Sequence, residues 1–307
     1  MTSSTQTRPS ARPATSAAAE PTPPRVRLNR RNKRATRARR AVLPTLALWI
    51  PVLLFLFPLL WFLLSSFKPG GELFRYPLTF WPETFTLDGF AKAWERVDFA
   101  RYFGNTLFVS TITTVLTVFF SASTGYALAK YKARWLNVLF ICILATTMLP
   151  TEVILTPTFA VIRDLGLYNT LAGIIVPSVI TATGIFMFRQ FFITVPDELI
   201  EAARIDGVSE LGIFFRIMLP LAKPIILTLA IFSFQWRWND YIWPLIVLND
   251  PKQYTIQVAL RGLVGAENID WTVLLPASVI SIIPLAVIFV IFQKYVMSAD
   301  LNSGLKD

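Results

Sequence analysis

Six apolar stretches, each long enough to cross a lipid bilayer, constrain the fold of this chain more than any other feature of its sequence. They cover residues 41–66, 105–128, 136–160, 170–192, 223–248 and 272–297. A helix needs about 20 predominantly apolar residues to cross the hydrocarbon core. Only 16% of the 307 residues are charged, against about a quarter in ordinary soluble domains. The sequence therefore predicts an all-α polytopic membrane protein with six transmembrane helices.

The positions of Lys and Arg predict how these helices are oriented, because loops rich in these residues stay in the cytoplasm. Basic residues are concentrated before the first apolar stretch, between the second and third stretches (Lys130, Lys132 and Arg134) and between the fourth and fifth. Six crossings return the chain to the side on which it starts. Both termini are therefore predicted to be cytoplasmic.

The first forty residues differ in composition from the rest of the chain. They hold eleven Lys and Arg against one acid, Glu20, whereas the remainder holds 18 basic and 18 acidic residues. Such a segment buries too little apolar surface to offset the entropy of ordering it. We interpret residues 1–40 as a disordered basic cytoplasmic tail and residues 41–307 as one six-helix transmembrane domain. The expected partner of the tail is anionic membrane lipid and not nucleic acid.

The composition also excludes several kinds of chemistry. The sequence contains no histidine, and its single cysteine, Cys142, lies in an apolar stretch. Thiol or imidazole catalysis, a structural disulfide and a Cys/His metal site are therefore not expected. The phosphate-binding pattern G-x-x-x-x-G-K-[ST] is absent as well. The chain is predicted to bind no metal or cofactor, not to hydrolyse ATP itself and not to be an enzyme.

A charged segment interrupts the apolar pattern between the fourth and fifth stretches. Between positions 198 and 216 it carries six charged residues: Glu198, Glu201, Arg204, Asp206, Glu210 and Arg216. Pro196 favours the first turn of a helix, and Gly207 can end a helix in the left-handed conformation. The segment therefore predicts a short helix over residues 196–206.

The two faces of this short helix differ in chemistry. Asp197, Glu201 and Arg204 recur at helical spacing and are predicted to share one face. Leu199 and Ala203 are predicted to lie on another face. The expected result is a close-fitting surface that carries charge.

A second short helix is predicted to follow. Ser209 can cap its start, and Leu219-Pro220 disfavours its unbroken continuation into the fifth stretch. An apolar stripe is predicted along it at Leu211, Phe214, Phe215 and Met218. Connections between helices normally need only about 2 to 8 residues. We therefore interpret this pair of helices as a docking element and not as a merely solvated loop.

The segment "EAARIDGVSELGIFFRIMLPLAKP", Glu201 to Pro224, resembles the EAA loop of binding-protein-dependent ABC transporter permeases. The resemblance implies that residues 193–224, the coupling loop, seat on a cytoplasmic ATP-binding subunit and transmit its motion to the membrane helices. The residues it implies for this docking are Glu201, Ala202, Ala203, Arg204, Asp206, Gly207, Leu219 and Pro220.

Other stretches resemble the carbohydrate-type branch of these permeases, which includes maltose and glycerol-phosphate importers. They are "SSFKP" (65–69), "GYALAKYK" (125–132), "FRQFFITVPDELIEAA" (188–203) and "WNDYIWPLIVL" (238–248). The resemblance implies the fold of an ABC type I importer permease in the bacterial cytoplasmic membrane. It also implies three partners: an ATP-binding subunit dimer that hydrolyses ATP, a second permease subunit, and an extracytoplasmic solute-binding protein. In this family the second permease is usually a different chain, and a homodimer is the alternative.

The expected function is the import of a sugar or oligosaccharide, with glycerol phosphate, a polyamine or an amino acid as alternative solutes. An ion-coupled secondary carrier is a second class, but Asp240, the acid such a carrier would use, stands beside Arg237. A membrane enzyme would need a catalytic cluster, and the sequence shows none.

The solute pathway is predicted to involve the fifth apolar stretch, where charged residues are costly unless they face a partner or a wet cavity. Candidate pathway residues are Gln235, Trp236, Arg237, Trp238, Asn239 and Asp240. Their hydrogen-bonding groups and flat rings suit polyhydroxylated solutes. Two hypotheses remain open, since Arg237 and Asp240 could line the pore or form a structural pair against a neighbouring subunit. Thr151, Glu152 and Thr156 are weaker candidates.

Overall fold

A computed structural model describes residues 49–96, 98–264 and 269–303, and the regular structure in that part of the chain is helical. The predicted tail (1–40) lies outside the described residues, as does the start of the first apolar stretch (41–48). The chain separates into two compact units, Met1–Phe57 and Pro58–Asp307. Of the first unit, only residues 49–57 are described, and they are helical. The sites discussed below all belong to the second unit.

The helical segments are numbered in chain order. They are α1 (Trp49–Ser65), α2 (Gly70–Leu73), α3 (Asp88–Arg96), α4 (Phe99–Lys130), α5 (Arg134–Thr146), α6 (Thr151–Asp164), α7 (Leu171–Ile175) followed by a 3-10 turn (Val176–Ser178), α8 (Ala182–Thr194), α9 (Asp197–Ile205), α10 (Glu210–Ile213) followed by a π turn (Phe214–Met218), α11 (Leu219–Leu221), α12 (Lys223–Trp238), α13 (Ile242–Val247) followed by a 3-10 turn (Pro251–Gln253), α14 (Ile256–Val264) and α15 (Trp271–Ser303).

Helix α4, 32 residues long, lies at the centre of the second unit and packs against α8 and α12. Its buried positions include a row of small hydroxyl-bearing residues, Ser110, Thr113, Thr114, Thr117 and Ser121. Small side chains let helix backbones approach each other closely. A Cβ atom at Gly125 would lie 2.6 Å from the Cβ atom of Phe188, so this glycine permits the close approach of α4 to α8.

The helices that could cross a membrane are of two kinds. Helix α4 and the Trp271–Gln293 part of α15 are each long and apolar enough on their own. Three pairs of shorter helices meet the same criteria only when each bent pair is counted as one crossing, which brings the described part of the chain to as many as five. The prediction of an all-helical membrane protein is confirmed, and the count of six remains a prediction.

Three of the predicted spans are interrupted and are not single straight helices: 136–160, 170–192 and 223–248. Helices α5 and α6 meet at 108°, because Pro150 disfavours a helical conformation at Leu149. The 3-10 turn that contains Pro177 separates α7 from α8, and the two parts meet at 40°. The fifth predicted span ends early, since α12 stops at Trp238 and α13 begins at Ile242.

Candidate functional site

The first helix that lies wholly within the coupling loop is α9, which runs over Asp197–Ile205. It is one residue shorter at each end than the predicted helix over residues 196–206. Pro196 precedes the first helical residue. Gly207 has a φ of +77°, the left-handed conformation predicted for it. A Cβ atom there would meet nothing within 4 Å. The backbone angle, and not crowding, therefore favours glycine at this position.

Helix α9 buries two apolar side chains. Ile200 and Ala203 are 4% and 7% exposed, whereas Leu199 is 40% exposed. Leu199 and Ala203 are four residues apart in this helix, about 40° around its axis, so they share a face as predicted. Leu199 nevertheless lies at the exposed edge of that face.

The charged face of α9 is arranged as predicted. Asp197, Glu201 and Arg204 line one shallow pocket of about 270 Å³, together with Lys130 and Tyr131 from the end of α4. This confirms that the three charged residues share a face. It also shows that this face lies against α4, which the sequence did not predict.

The second helix of the loop starts as predicted and then departs from the prediction. The Ser209 hydroxyl accepts a hydrogen bond from the Gly212 N–H at 3.2 Å, which confirms the cap. Of the predicted apolar stripe, Phe214 and Met218 are buried, but Leu211 and Phe215 are 72% and 47% exposed. The π turn over residues 214–218 has a longer period than an α-helix, so side chains at α-helical spacing no longer share a face.

The break before α12 comes later than Leu219-Pro220. Both residues belong to α11, and the helix is interrupted at Ala222. The segment Glu210–Leu221 meets α12 at 76°. Pro224 lies at the start of α12, where a missing N–H costs nothing. The predicted interruption is confirmed, and its position is shifted by two residues.

Arg204 is bound within the chain. Its Nε and Nη2 atoms donate to the two carboxylate oxygens of Glu210 at 2.6 and 3.2 Å. The hydroxyl of Tyr131 also donates to Glu210, at 3.2 Å. Arg204 lowers the pKa of the Glu210 carboxyl, while burial and the Glu210 charge raise the pKa of Tyr131. These bonds close the turn around Gly207 and join it to the end of α4.

A second ion pair joins α9 to the end of α4. The Lys130 ammonium group donates to the Asp197 carboxylate at 2.7 Å and to the Val195 carbonyl at 2.5 Å. The Lys130 side chain is 7% exposed. Lys132 approaches the same carboxylate at 3.7 Å, but its side chain is 89% exposed. The hydrogen bond and charge of Lys130 are the main causes that lower the pKa of Asp197.

The residues implied to dock a partner differ in exposure. Exposed are Glu201, Ala202, Arg204, Asp206, Gly207 and Pro220. Leu219 is half-buried and Ala203 is buried. Ile205, which was not among the implied docking residues, is 86% exposed beside them. The exposed surface of the coupling loop thus combines charge with an apolar side chain.

A cavity of about 680 Å³ lies where α12 ends. Its lining includes four of the six candidate pathway residues, Trp236, Arg237, Asn239 and Asp240. Thr151 and Glu152 at the start of α6 also line it, whereas Thr156 does not. The aromatic side chains of Tyr241 and Trp243 complete much of the wall and were not predicted.

Arg237 and Asp240 form a pair at the edge of this cavity. The Nη1 atom of Arg237 lies 3.2 Å from the Oδ2 atom of Asp240, and the two side chains are 20% and 18% exposed. The same nitrogen donates to the Ser178 hydroxyl at 2.8 Å. The two side chains pair with each other, as the sequence allowed, and both also line the cavity. The pair forms across the end of α12 and not along a continuous helix, since Asp240 follows the last helical residue.

Two candidate pathway residues lie away from the cavity. Trp238 is fully buried, and its indole N–H donates to the Ser281 carbonyl at 2.9 Å. Its prediction as a pathway residue is therefore wrong, because the side chain packs inside the helix bundle. Gln235 is exposed but is not part of the cavity wall. Trp243 is also largely buried and donates to the Gly173 carbonyl at 3.2 Å, which holds α13 against α7.

Residues 121–298 match the family described as "Binding-protein-dependent transport system inner membrane component". The chain belongs to this family. The resemblance seen in the EAA segment is thereby confirmed, and the permease is a membrane transport protein and not an enzyme.

Similar proteins agree with this assignment. The arabinooligosaccharides transport system permease protein AraQ of Halalkalibacterium halodurans is 38% identical to the permease over 81% of this chain and 91% of its own length. The sn-glycerol-3-phosphate transport system permease protein UgpE of Yersinia pestis is 30% identical over 83% and 93%. The crystal structure of a bacterial ABC transporter involved in the import of the acidic polysaccharide alginate contains a chain with a TM-score of 0.76 and 26% identity, covering 89% of the permease and 99% of that chain.

Proposed function

We propose that the permease is one transmembrane subunit of an ABC importer that moves a sugar or oligosaccharide across the bacterial cytoplasmic membrane. The observation that carries this proposal is the coupling loop. It presents an exposed, charged helix α9 that is followed by a left-handed Gly207 and is held to the end of α4 by the Lys130–Asp197 ion pair. A surface of this kind suits a protein partner, because the Lys130–Asp197 and Arg204–Glu210 pairs fix its shape before binding.

The proposed partners follow from this role. A cytoplasmic dimer of ATP-binding subunits hydrolyses ATP and contacts the coupling loop, so the permease itself needs no cofactor. A second, different permease subunit completes the cavity, and an extracytoplasmic solute-binding protein delivers the solute.

In this proposal the chain crosses the membrane six times, with both termini in the cytoplasm. The six apolar stretches and the three bent helix pairs support that count.

The charges around the cavity favour an uncharged solute over a phosphate ester. Among the residues that line the cavity, Arg237 is the basic one, and it is already bound by Asp240 and Ser178. Glu152 adds a second carboxylate to the wall. Phosphate groups are bound most strongly through charge-assisted hydrogen bonds from a free cationic side chain. The exposed ring of Trp236 instead offers a flat apolar face of the kind that suits a sugar ring.

The proposal is tested by affinity purification of the tagged permease from its native host in a mild detergent, with mass spectrometry of the proteins that accompany it. Recovery of an ATP-binding subunit and a second permease is expected. Repeated recovery of the permease alone would contradict the proposal and favour a self-sufficient carrier.

A charge-reversal variant tests whether the ATP-binding subunit contacts α9. Glu201→Lys should reduce recovery of the ATP-binding subunit while membrane insertion is unchanged. Asp164→Lys is the matched control, because it makes the same change of charge at an exposed carboxylate outside the coupling loop. Equal recovery with both variants would contradict the assignment of α9 as the docking surface.

A further inference from the structure

The coupling loop is attached to the rest of the permease through the end of α4. Lys130, the last residue of α4, binds both the Val195 carbonyl and the Asp197 carboxylate, which lie on either side of the start of α9. Its side chain is nearly buried, at 7% exposure. A movement of the start of α9 therefore moves Lys130 unless these bonds break.

Helix α4 also reaches the wall of the cavity. The hydroxyl of Thr117 donates to the Ser178 carbonyl at 3.2 Å, and both groups are buried. The side-chain hydroxyl of the same serine accepts the 2.8 Å hydrogen bond from Arg237. Thr117 therefore positions Ser178, and the Ser178 hydroxyl binds Arg237 at the edge of the cavity.

These two attachment points lie on one unbroken helix. Lys130 lies thirteen positions after Thr117 on α4, a distance of about 20 Å along a helix axis. No proline interrupts the helix between them. Gly125 lies between the two points and packs against the backbone of α8. Closely packed interiors transmit displacement because they have little free volume in which to absorb it.

We propose that Lys130 is a positioning residue that transmits movement of the coupling loop through α4 to Ser178 and Arg237 at the cavity. The inference rests on the proposed function, because it takes the coupling loop as the place where the ATP-binding subunit acts. The contact chain runs from Asp197 to Lys130, along α4 to Thr117, and on to Ser178. It assigns a transmission role to a helix outside the coupling loop itself.

The test uses the complete importer reconstituted in liposomes, with solute uptake and ATP hydrolysis measured in the same vesicles. Lys130→Met keeps most of the side-chain volume but removes the ammonium group. It should lower the solute taken up per ATP hydrolysed about fivefold or more, the lower end of typical coupling between sites. Lys132→Met is the matched control, since Lys132 faces the same carboxylate from solvent, and it should leave this ratio unchanged. Lys130→Arg should restore most of the lost ratio.

A second variant tests the far end of the same route. Thr117→Val removes the hydroxyl with little change of volume and alters no charge. It should also lower uptake per ATP, and the double variant Lys130→Met/Thr117→Val should be no worse than the more damaging single variant, because both changes interrupt one route. If Lys130→Met does not assemble, Thr117→Val alone decides the question.

The outcomes separate this inference from the proposed function. A wild-type complex without ATP-driven uptake would contradict the proposed function. Normal wild-type uptake combined with an unchanged uptake-to-ATP ratio in Thr117→Val, or equal ratios in Lys130→Met and Lys132→Met, would overturn the route through α4. A fall of uptake and hydrolysis in proportion would also overturn it, since Lys130 would then only support docking.

Discussion

Two of the arginine–carboxylate pairs of the permease, one in the coupling loop and one at the cavity, have similar chemistry and opposite surroundings. In the coupling loop, Arg204 and Glu210 approach to 2.6 Å with side chains 50% and 47% exposed. At the cavity, Arg237 and Asp240 approach to 3.2 Å with side chains 20% and 18% exposed. Exposed ion pairs are weak because water already solvates both charges. A pair withdrawn from water leaves a costly unpaired charge when one partner is removed.

The difference indicates how each region is held in place. The shape of the coupling loop depends on local backbone features, such as the positive φ of Gly207 and the Ser209 cap, and its ion pairs orient it on α4. The cavity edge depends on long-range packing, in which Trp238 and Ser178 fix residues from separate helices. Substitutions of the buried or paired residues beside the cavity should therefore destabilise the fold, whereas substitutions in the coupling loop should impair transport in a protein that remains folded.

The largest effect on stability is expected from Trp238→Ala. The side chain is fully buried and bonded to Ser281, so its truncation should lower the free energy of unfolding by about 3–5 kcal/mol. Trp236→Ala is the matched control two residues away, because Trp236 is 45% exposed on the cavity wall. It should reduce solute transport with little change in thermal unfolding in detergent. Equal melting temperatures for the two variants would contradict the view that Trp238 stabilises the fold and Trp236 does not.

The next largest effect is expected from Asp240→Asn, which leaves the Arg237 charge without its ionic partner. Since both side chains are about a fifth exposed, we expect a loss of about 1–3 kcal/mol, less than the cost of breaking a fully buried pair. The double variant Arg237→Gln/Asp240→Asn should recover most of this loss, because no unpaired charge remains. Thermal unfolding of both variants checks the result. If Asp240→Asn does not lower the melting temperature, water reaches the pair freely.

The coupling loop was predicted more completely than the cavity, and the reason is physical. The start and end of α9 follow from Pro196 and Gly207, whose backbone preferences act within a few residues. The burial of Leu211 and Phe215 was predicted wrongly because the π turn depends on packing against other helices. At the cavity, Trp236 and Trp238 have the same side chain, and only the arrangement of α12 against its neighbours separates them.

A smaller loss of stability and a large loss of transport are expected from Gly207→Val. A β-branched residue at positive φ should cost about 1–2 kcal/mol, and the distorted turn should abolish transport by displacing α9. Gly166→Val is the matched control, because Gly166 has a φ of +70° and equally open surroundings but lies outside the coupling loop. It should cause similar strain and leave recovery of the ATP-binding subunit intact. Normal uptake by Gly207→Val would exclude a role for this turn in coupling.

The smallest effect is expected from Glu210→Gln, which removes the charge that Arg204 and Tyr131 contact. Arg204 lowers the pKa of Glu210, so the pair contributes stability above the ordinary pKa of a glutamate, and that contribution is lost only as pH falls through the lowered pKa. Between pH 6 and pH 8, about two units or more above that ordinary value, the difference in melting temperature between the wild type and the variant should therefore stay constant, and it should be small because the pair is exposed. Their transport should differ, because the freed Arg204 can move relative to α4. A clear drop in melting temperature for Glu210→Gln, as large as that for Asp240→Asn, would show that the exposed pair stabilises the fold as much as the half-buried one and would remove the contrast between the two regions.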